Sequence, residues 1–307
     1  MKNTYQIMKM MILISSRQLL IFIEGLNELS PDFIQRLGSK LRIDCFALDP
    51  VSIKDWHDNR SLSNHFDPPV INQSDIFMMM TAFVLNQAWR CKFDPALTEK
   101  ALFTNPDGTQ KEVNMMYQNG EFDVSTGPLD RHVFELPYAD PEEKYYNLKS
   151  LFIVPKDHLG YRELASQLRD PQILRELLRT KSSKRVDLDL YMPRYILDVS
   201  HNLLPVLKDL TPNPSIFESL KLPVVNHDIN VPMLTEHAVS TKLTVDENGT
   251  SVFARSVLIG AFGGGFPKMT LKLNRPFFQI LTDDDDTTYM IALIADPESP
   301  DQPMNHF

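Results

Sequence analysis

Residues 76–89 read IFMMMTAFVLNQAW, without a single charge. Alternate side chains of a strand point to opposite faces. Both sets are apolar here, so a strand made from this run has no wet side. It belongs at the centre of a sheet and needs cover on both faces.

The rest of the chain supplies both kinds of element. Residues 19–24 (LLIFIE) read as a buried strand that Gly25 ends, and 42–48 as another. Ser30 caps a helix, with Pro31 in its first position, Asp32 in its first turn and Phe33, Leu37 and Leu41 as its apolar face. A second helix starts near Ser52, with Ile53 and Trp56 on one side. Pro106-Asp107-Gly108 is a turn. Short strands are expected at 113–117, 133–136 and 151–154, and further strands at 186–192 and 237–247. Charged and mixed helices are expected at 161–181 and 201–210. Strands and helices without a regular alternation give an α+β fold.

The 307 residues, 43% of them hydrophobic, suffice for one large domain or two. A net charge of −9 argues against non-specific nucleic-acid binding and against an anionic membrane surface. No apolar run is long enough to span a membrane. Two cysteines, Cys45 and Cys91, are too few for a disulfide framework; both lie in apolar runs and read as small buried hydrophobes. At the start, Lys2 and Lys9 precede MMILI, a run shorter than the core of a secretion signal. No small-residue cleavage site follows before Arg17.

Residues 245–280 read VDENGTSVFARSVLIGAFGGGFPKMTLKLNRPFFQI. A strand-like run ends in Asp246-Glu247-Asn248-Gly249. A long segment without helical period then passes through Gly263-Gly264-Gly265. An alternating strand begins at Met269 and continues through Asn274-Arg275-Pro276 to Phe278. A connection of this length between strands is usually functional or disordered. Its glycines make the centre easy for a partner to take up.

DENGT, a long loop and LNRPFF together resemble the reactive-loop region of the serpins, the serine protease inhibitor superfamily. Other pieces follow in the family's order. LLIFIEG resembles the second strand of its main sheet, and SIKDW the helix that carries Ile-Asn-x-Trp. TAFVLNQAW, then Phe93, Thr98 and Phe103, resembles its Asn-Ala-x-x-Phe-x-Gly-x-Trp segment. LFIVPKD and LYMPRY resemble two strand ends, and YMIALIADP the last strand, which normally closes with Asn-Pro. Each piece is short; their shared order and spacing from about Leu19 to Pro297 carry the signal.

The resemblance implies large mixed β-sheets with surrounding helices and an exposed reactive loop. It implies a lead at 1–18, a serpin-like domain at 19–298 without counterparts of the family's opening helices, and a tail at 299–307. Lacking one of those helices, an apolar sheet face would be left open to association. It further implies a serine-type endopeptidase inhibitor rather than an enzyme. No cofactor, metal, nucleic acid or membrane is involved, the partner is a serine protease or another protein, and the setting is extracellular. Inhibitory members offer the loop as bait. Once cut, it enters the main sheet as a new strand, an established instance of strand addition that releases stored strain.

By the same resemblance the loop's hinge comprises Glu247, Gly249, Thr250, Val252, Phe253, Ala254 and Arg255. Counting from Gly249 puts the scissile region at Phe262, Gly263 and Gly264. Thr81, Trp89 and Val239 fall in the region where the family's sheet opens. Thr81 replaces the family's asparagine and Val239 its histidine; His237, on the same strand face, is an alternative substitute. On insertion, Thr250, Val252, Ala254 and Ser256 would face the core. Ser251, Phe253 and Arg255 would slide under the covering helix, where the family carries small residues. The loop, about 250–268, is therefore expected to be presented with insertion and trapping impaired. The alternative is a non-inhibitory relative acting as a binding or carrier protein. A glycine offers a protease pocket no side chain; Phe262 or Phe266 would suit a chymotrypsin-like pocket in a shifted register.

Other chemistry is not encoded. There is no GxSxG, GxGxxG or phosphate loop. The eight histidines make no HxxxH and no Cys/His pair of zinc spacing. Residues 283–286, four aspartates, lack calcium-loop spacing and are expected to cap a hairpin in solvent. Sequons at Asn59, Asn72 and Asn248 number what chance gives; a glycan at Asn248 would oppose insertion.

Overall fold

The computed structural model describes residues 19–23, 31–36, 43–47, 51, 54, 77–84, 87–127, 131–139, 148–178, 184–217, 219–221, 230–232, 236–250 and 266–301. In chain order the strands are β1 (Leu19–Ile23), β2 (Ile43–Ala47), β3 (Phe77–Val84), β4 (Gln87–Ala88), β5 (Glu99–Thr104), β6 (Gln110–Gly127), β7 (Arg131–Pro137), β8 (Lys149–Val154) and β9 (Lys184–Pro193). They continue with β10 (Tyr195–Asn202), β11 (Ser219–Lys221), β12 (Asn230–Pro232), β13 (Glu236–Val245), β14 (Gly249–Thr250), β15 (Lys268–Lys272), β16 (Phe277–Thr282) and β17 (Thr288–Ile294). The α-helices are α1 (Pro31–Arg36), α2 (Tyr161–Gln167), α3 (Pro171–Leu178) and α4 (Leu204–Leu210). The described residues fall into two compact units, one drawn from 14–84 and 198–242, the other from 85–197 and 243–307.

The first unit holds a five-stranded sheet in the order β10-β13-β3-β1-β2. The charge-free run is central in it, as its composition demands. β3 is antiparallel to β1, with Leu19 opposite Thr81, and parallel to β13, with Thr81 opposite Val239. Parallel neighbours cannot be joined by a hairpin, and a long stretch of sequence separates these two. The expected strand over 76–89 is shorter than its composition suggests. β3 stops at Val84, and Gln87 and Ala88 pair instead with Thr250 and Gly249 in a separate two-stranded piece.

The second unit is built on an eight-stranded sheet in the order β15-β9-β6-β7-β8-β16-β17, with β5 on β6. Alternation explains its layering. Leu151 and Ile153 of β8, with Phe278, Ile280 and Ile291, meet Leu164, Leu174, Leu177 and Leu178 of the two helices. Phe152, on the other face of β8, stacks on Phe134 at 5.3 Å and lies 6.2 Å from Phe277. Each such fully buried side chain contributes about 1.5–3 kcal/mol. β8 and β16 are apolar at odd and even positions because both of their faces are covered.

Several expected boundaries move. The strand placed at 113–117 is 18 residues long, 110–127, because β6 serves β5, β9 and β7 in succession. The helix over 161–181 is two helices. Pro171 starts α3, and the Asp170 carboxylate caps it by accepting the Gln172 N–H at 2.8 Å. In 201–210, β10 runs on through Asn202 and the helix begins only at Leu204, whose N–H donates to Asn202 Oδ1 at 3.0 Å. The strand from Met269 to Phe278 is broken. Arg275 turns back to the Pro155 and Lys272 carbonyls at 2.7 and 3.1 Å, and Pro276 has no N–H for a ladder. Cys91 is exposed rather than buried, in a bend after Trp89. Asp283 does cap the hairpin but is itself buried, accepting from Asp285 N, Thr287 N and the Tyr289 hydroxyl.

Candidate functional site

β13 carries Leu243 and Val245 into the interior and ends in a closed turn. The Asp246 carboxylate accepts the Asn248 N–H at 2.8 Å. Asp246 and Gly249 exchange backbone hydrogen bonds of 3.2 and 3.3 Å. Gly249 sits at φ 137°, where a Cβ would be strained. β14 then leaves antiparallel to β4, with Gly249 opposite Ala88 and Thr250 opposite Gln87.

Residues 89–93 hold the turn's carbonyls one after another. The Trp89 indole donates to Asp246 O at 3.1 Å, Trp89 N to Asn248 O at 3.0 Å and Phe93 N to Glu247 O at 3.0 Å. The Trp89 ring is buried and stacks on Tyr138, centroids 4.6 Å apart and planes 15° apart. It is a structural anchor of the turn.

Glu247 is fully buried, and its carboxylate is gripped by Arg194. Arg194 Nε donates to both oxygens at 2.8 and 2.9 Å, and Nη2 lies 2.6 Å from Oε1. The Thr98 hydroxyl donates to the same oxygen. Arg194 is held in turn: its N–H donates to Asn114 O at 2.8 Å and its Nη1 to Asp301 O at 3.0 Å. Asn114 Nδ2 donates to Pro300 O at 2.8 Å, and Lys100 pairs with the Asp301 carboxylate at 2.8 Å. That hydrogen bond holds the Asp301 carboxyl below its ordinary range and raises the Lys100 ammonium. A buried carboxylate is tolerated because it is paired and fully hydrogen-bonded.

Of the residues the sequence singles out, Glu247, Gly249, Thr250 and Trp89 meet in this turn. Thr81 and Val239 face each other as Cα partners across β3 and β13, and His237 stands opposite Met79. Val252, Phe253, Ala254, Arg255, Phe262, Gly263 and Gly264 lie outside the described residues. Arg194 and Thr98 were not assigned to the site by the sequence; a basic residue directly after Pro193 at a strand end was the only hint. Among the described residues, no cluster of three or more His, Cys, Asp or Glu is placed to hold a metal ion, and no helix is long and apolar enough to cross a membrane.

This fold and turn match one family. The model of the serpins, "Serpin (serine protease inhibitor)", matches residues 52–297. Antichymotrypsin-2 of Bombyx mori is 24% identical over 253 residues, covering 78% of this chain and 63% of that protein. Antithrombin-III of Homo sapiens is 25% identical over 255 residues, covering 80% of this chain and 53% of that protein. The structure of human thyroxine-binding globulin superposes with a TM-score of 0.73 at 16% identity, covering 91% of this chain and 74% of that one. The chain belongs to the serpin family. It spans between about half and two-thirds of the length of these two curated relatives.

Proposed function

We propose that this chain presents residues 250–268 as a reactive loop to an extracellular serine protease and that trapping by loop insertion is impaired. The observation that carries the reading is the closed turn at Asp246–Gly249. Its buried Glu247–Arg194 pair fixes the point where the loop leaves β13, and β14 already sets the departing chain antiparallel to β4. A strand entering a sheet must do so with correct hydrogen-bond direction, and β14 has it. Impairment rests on sequence: Phe253 and Arg255 are bulky where a moving strand needs small residues. A non-inhibitory binding protein is the second reading. The Thr81–Val239 pairing favours it, since a threonine and a valine occupy positions where inhibitory relatives carry an asparagine and a histidine.

Incubation with trypsin-, chymotrypsin- and elastase-like serine proteases, followed by denaturing gels and mass mapping, tests both parts. The expected product is a chain cut between 256 and 268 with little covalent protease complex. A dominant covalent complex overturns the impairment. A first cut far from this segment overturns the loop assignment.

A further inference from the structure

A concavity of about 490 Å³ opens in the second unit where β5, β6, β9 and β15 converge, away from the hinge turn. That volume lies in the range of small-ligand sites. Two features distinguish it from an ordinary dent. Leu97 and Leu102 both line it while 48% and 54% exposed. Leaving leucine surface in water is unfavourable by about 25 cal/mol per Å², so two such side chains at one hollow favour an apolar guest. Its wall also carries a cross-strand ladder, Tyr117 opposite Tyr191 opposite Lys272. The two rings lie 5.0 Å apart, and the Lys272 ammonium sits 4.9 Å over the Tyr191 ring. The Tyr117 hydroxyl is committed to Asp189 at 2.7 Å, which fixes that ring.

The charges decide the class of guest. Lys100 is neutralised by Asp301 and Glu112. Lys272 has no carboxylate partner among the described residues, and the Asn274 amide nitrogen, also on the wall, makes no hydrogen bond there. Glu99 is the one unpaired carboxylate on the wall, and it stands opposite Met115 rather than on the tyrosine ladder. A ring laid on the tyrosines would therefore end its polar side at a cation and an amide donor. We infer that this hollow is a binding site for a small aromatic acid, its ring against Tyr117, Tyr191 and the two leucines and its anionic group on Lys272 and Asn274.

The probe is 8-anilinonaphthalene-1-sulfonate, whose sulfonate stands in for the carboxylate, titrated by fluorescence against the full chain. Its uncharged analogue N-phenyl-1-naphthylamine is run beside it. One saturable site is expected, with the anionic probe bound about tenfold tighter than the neutral one. Lys272→Glu should weaken it by about tenfold or more, as loss and reversal of one charge near the surface implies. Leu102→Trp, which fills the hollow, should abolish it. Leu210→Lys, at an exposed leucine elsewhere, should leave it unchanged. Melting curves verify that each variant is folded. Absence of saturable binding, equal affinity for both probes, or affinity untouched by both Lys272→Glu and Leu102→Trp would overturn the assignment.

Discussion

Breaking the Arg194–Glu247 pair tests the physical account of the hinge turn. Arg194→Ala removes three short contacts and leaves a carboxylate at 0% exposure with only the Thr98 hydroxyl as a side-chain partner. Removing one member of a buried pair costs about 3–5 kcal/mol, because the other charge is left uncompensated. Glu247→Gln keeps the shape and one acceptor oxygen, so its cost falls to about 1–3 kcal/mol. Replacing both, Arg194→Met with Glu247→Leu, strands no charge and should cost less than either truncation. The double variant should therefore be far from additive, with a coupling of at least about 2 kcal/mol. The assay is urea unfolding followed by Trp89 emission, with Trp56→Phe in the background because the chain has two tryptophans. Trp89 reports on this turn since its indole is bonded to Asp246 O. A cost of under about 1 kcal/mol for Arg194→Ala, or additivity of the two single changes, would refute the reasoning.

Two further outcomes are expected. Gly249→Ala should lower stability by about 1–3 kcal/mol, read by the same unfolding assay, because φ 137° is a backbone region that side chains rarely adopt. The Tyr117 phenol, donating to Asp189, is pushed up from 10.0 to about 12. A raised folded value means that this contribution to stability is intact below pH 10.0 and is lost as pH rises through about 12. Absorbance titration of the parent against Tyr117→Phe isolates that late step; Asp189→Asn should move it back toward the ordinary tyrosine range.

Much of the fold was legible because burial leaves a pattern. The uncharged run 76–89 announced a strand covered on both faces, and β3 is central in its sheet. Alternation located β7, β8 and β9 to within a few residues. What misled was continuity. Composition cannot tell that Gln87 and Ala88 leave β3's partners for β14, since that depends on residues some 160 positions away, as does the Trp89–Asp246 bond. β6 was read short because its middle, Gln118-Asn119-Gly120-Glu121, looks like a turn, yet pairing with β9 overrides the local preference. Likewise Glu247 was identified by its place in DENGT, but its counter-ion lies 53 residues earlier and carries no local mark. Cys91 looked buried by its flanks, and it is exposed because the chain bends once Trp89 is anchored.

Melting of the chain before and after a single cut in 256–268 tests most directly whether the loop can insert. Insertion would add backbone hydrogen bonds and bury alternate side chains, so a cut chain that inserts becomes more heat-resistant. With Phe253 and Arg255 in place the melting temperature should be unchanged on cleavage. With Phe253→Ala and Arg255→Ala together it should rise. A rise of more than about 10 °C in the parent, equivalent to several kcal/mol at this size, would contradict the claim that insertion is impaired.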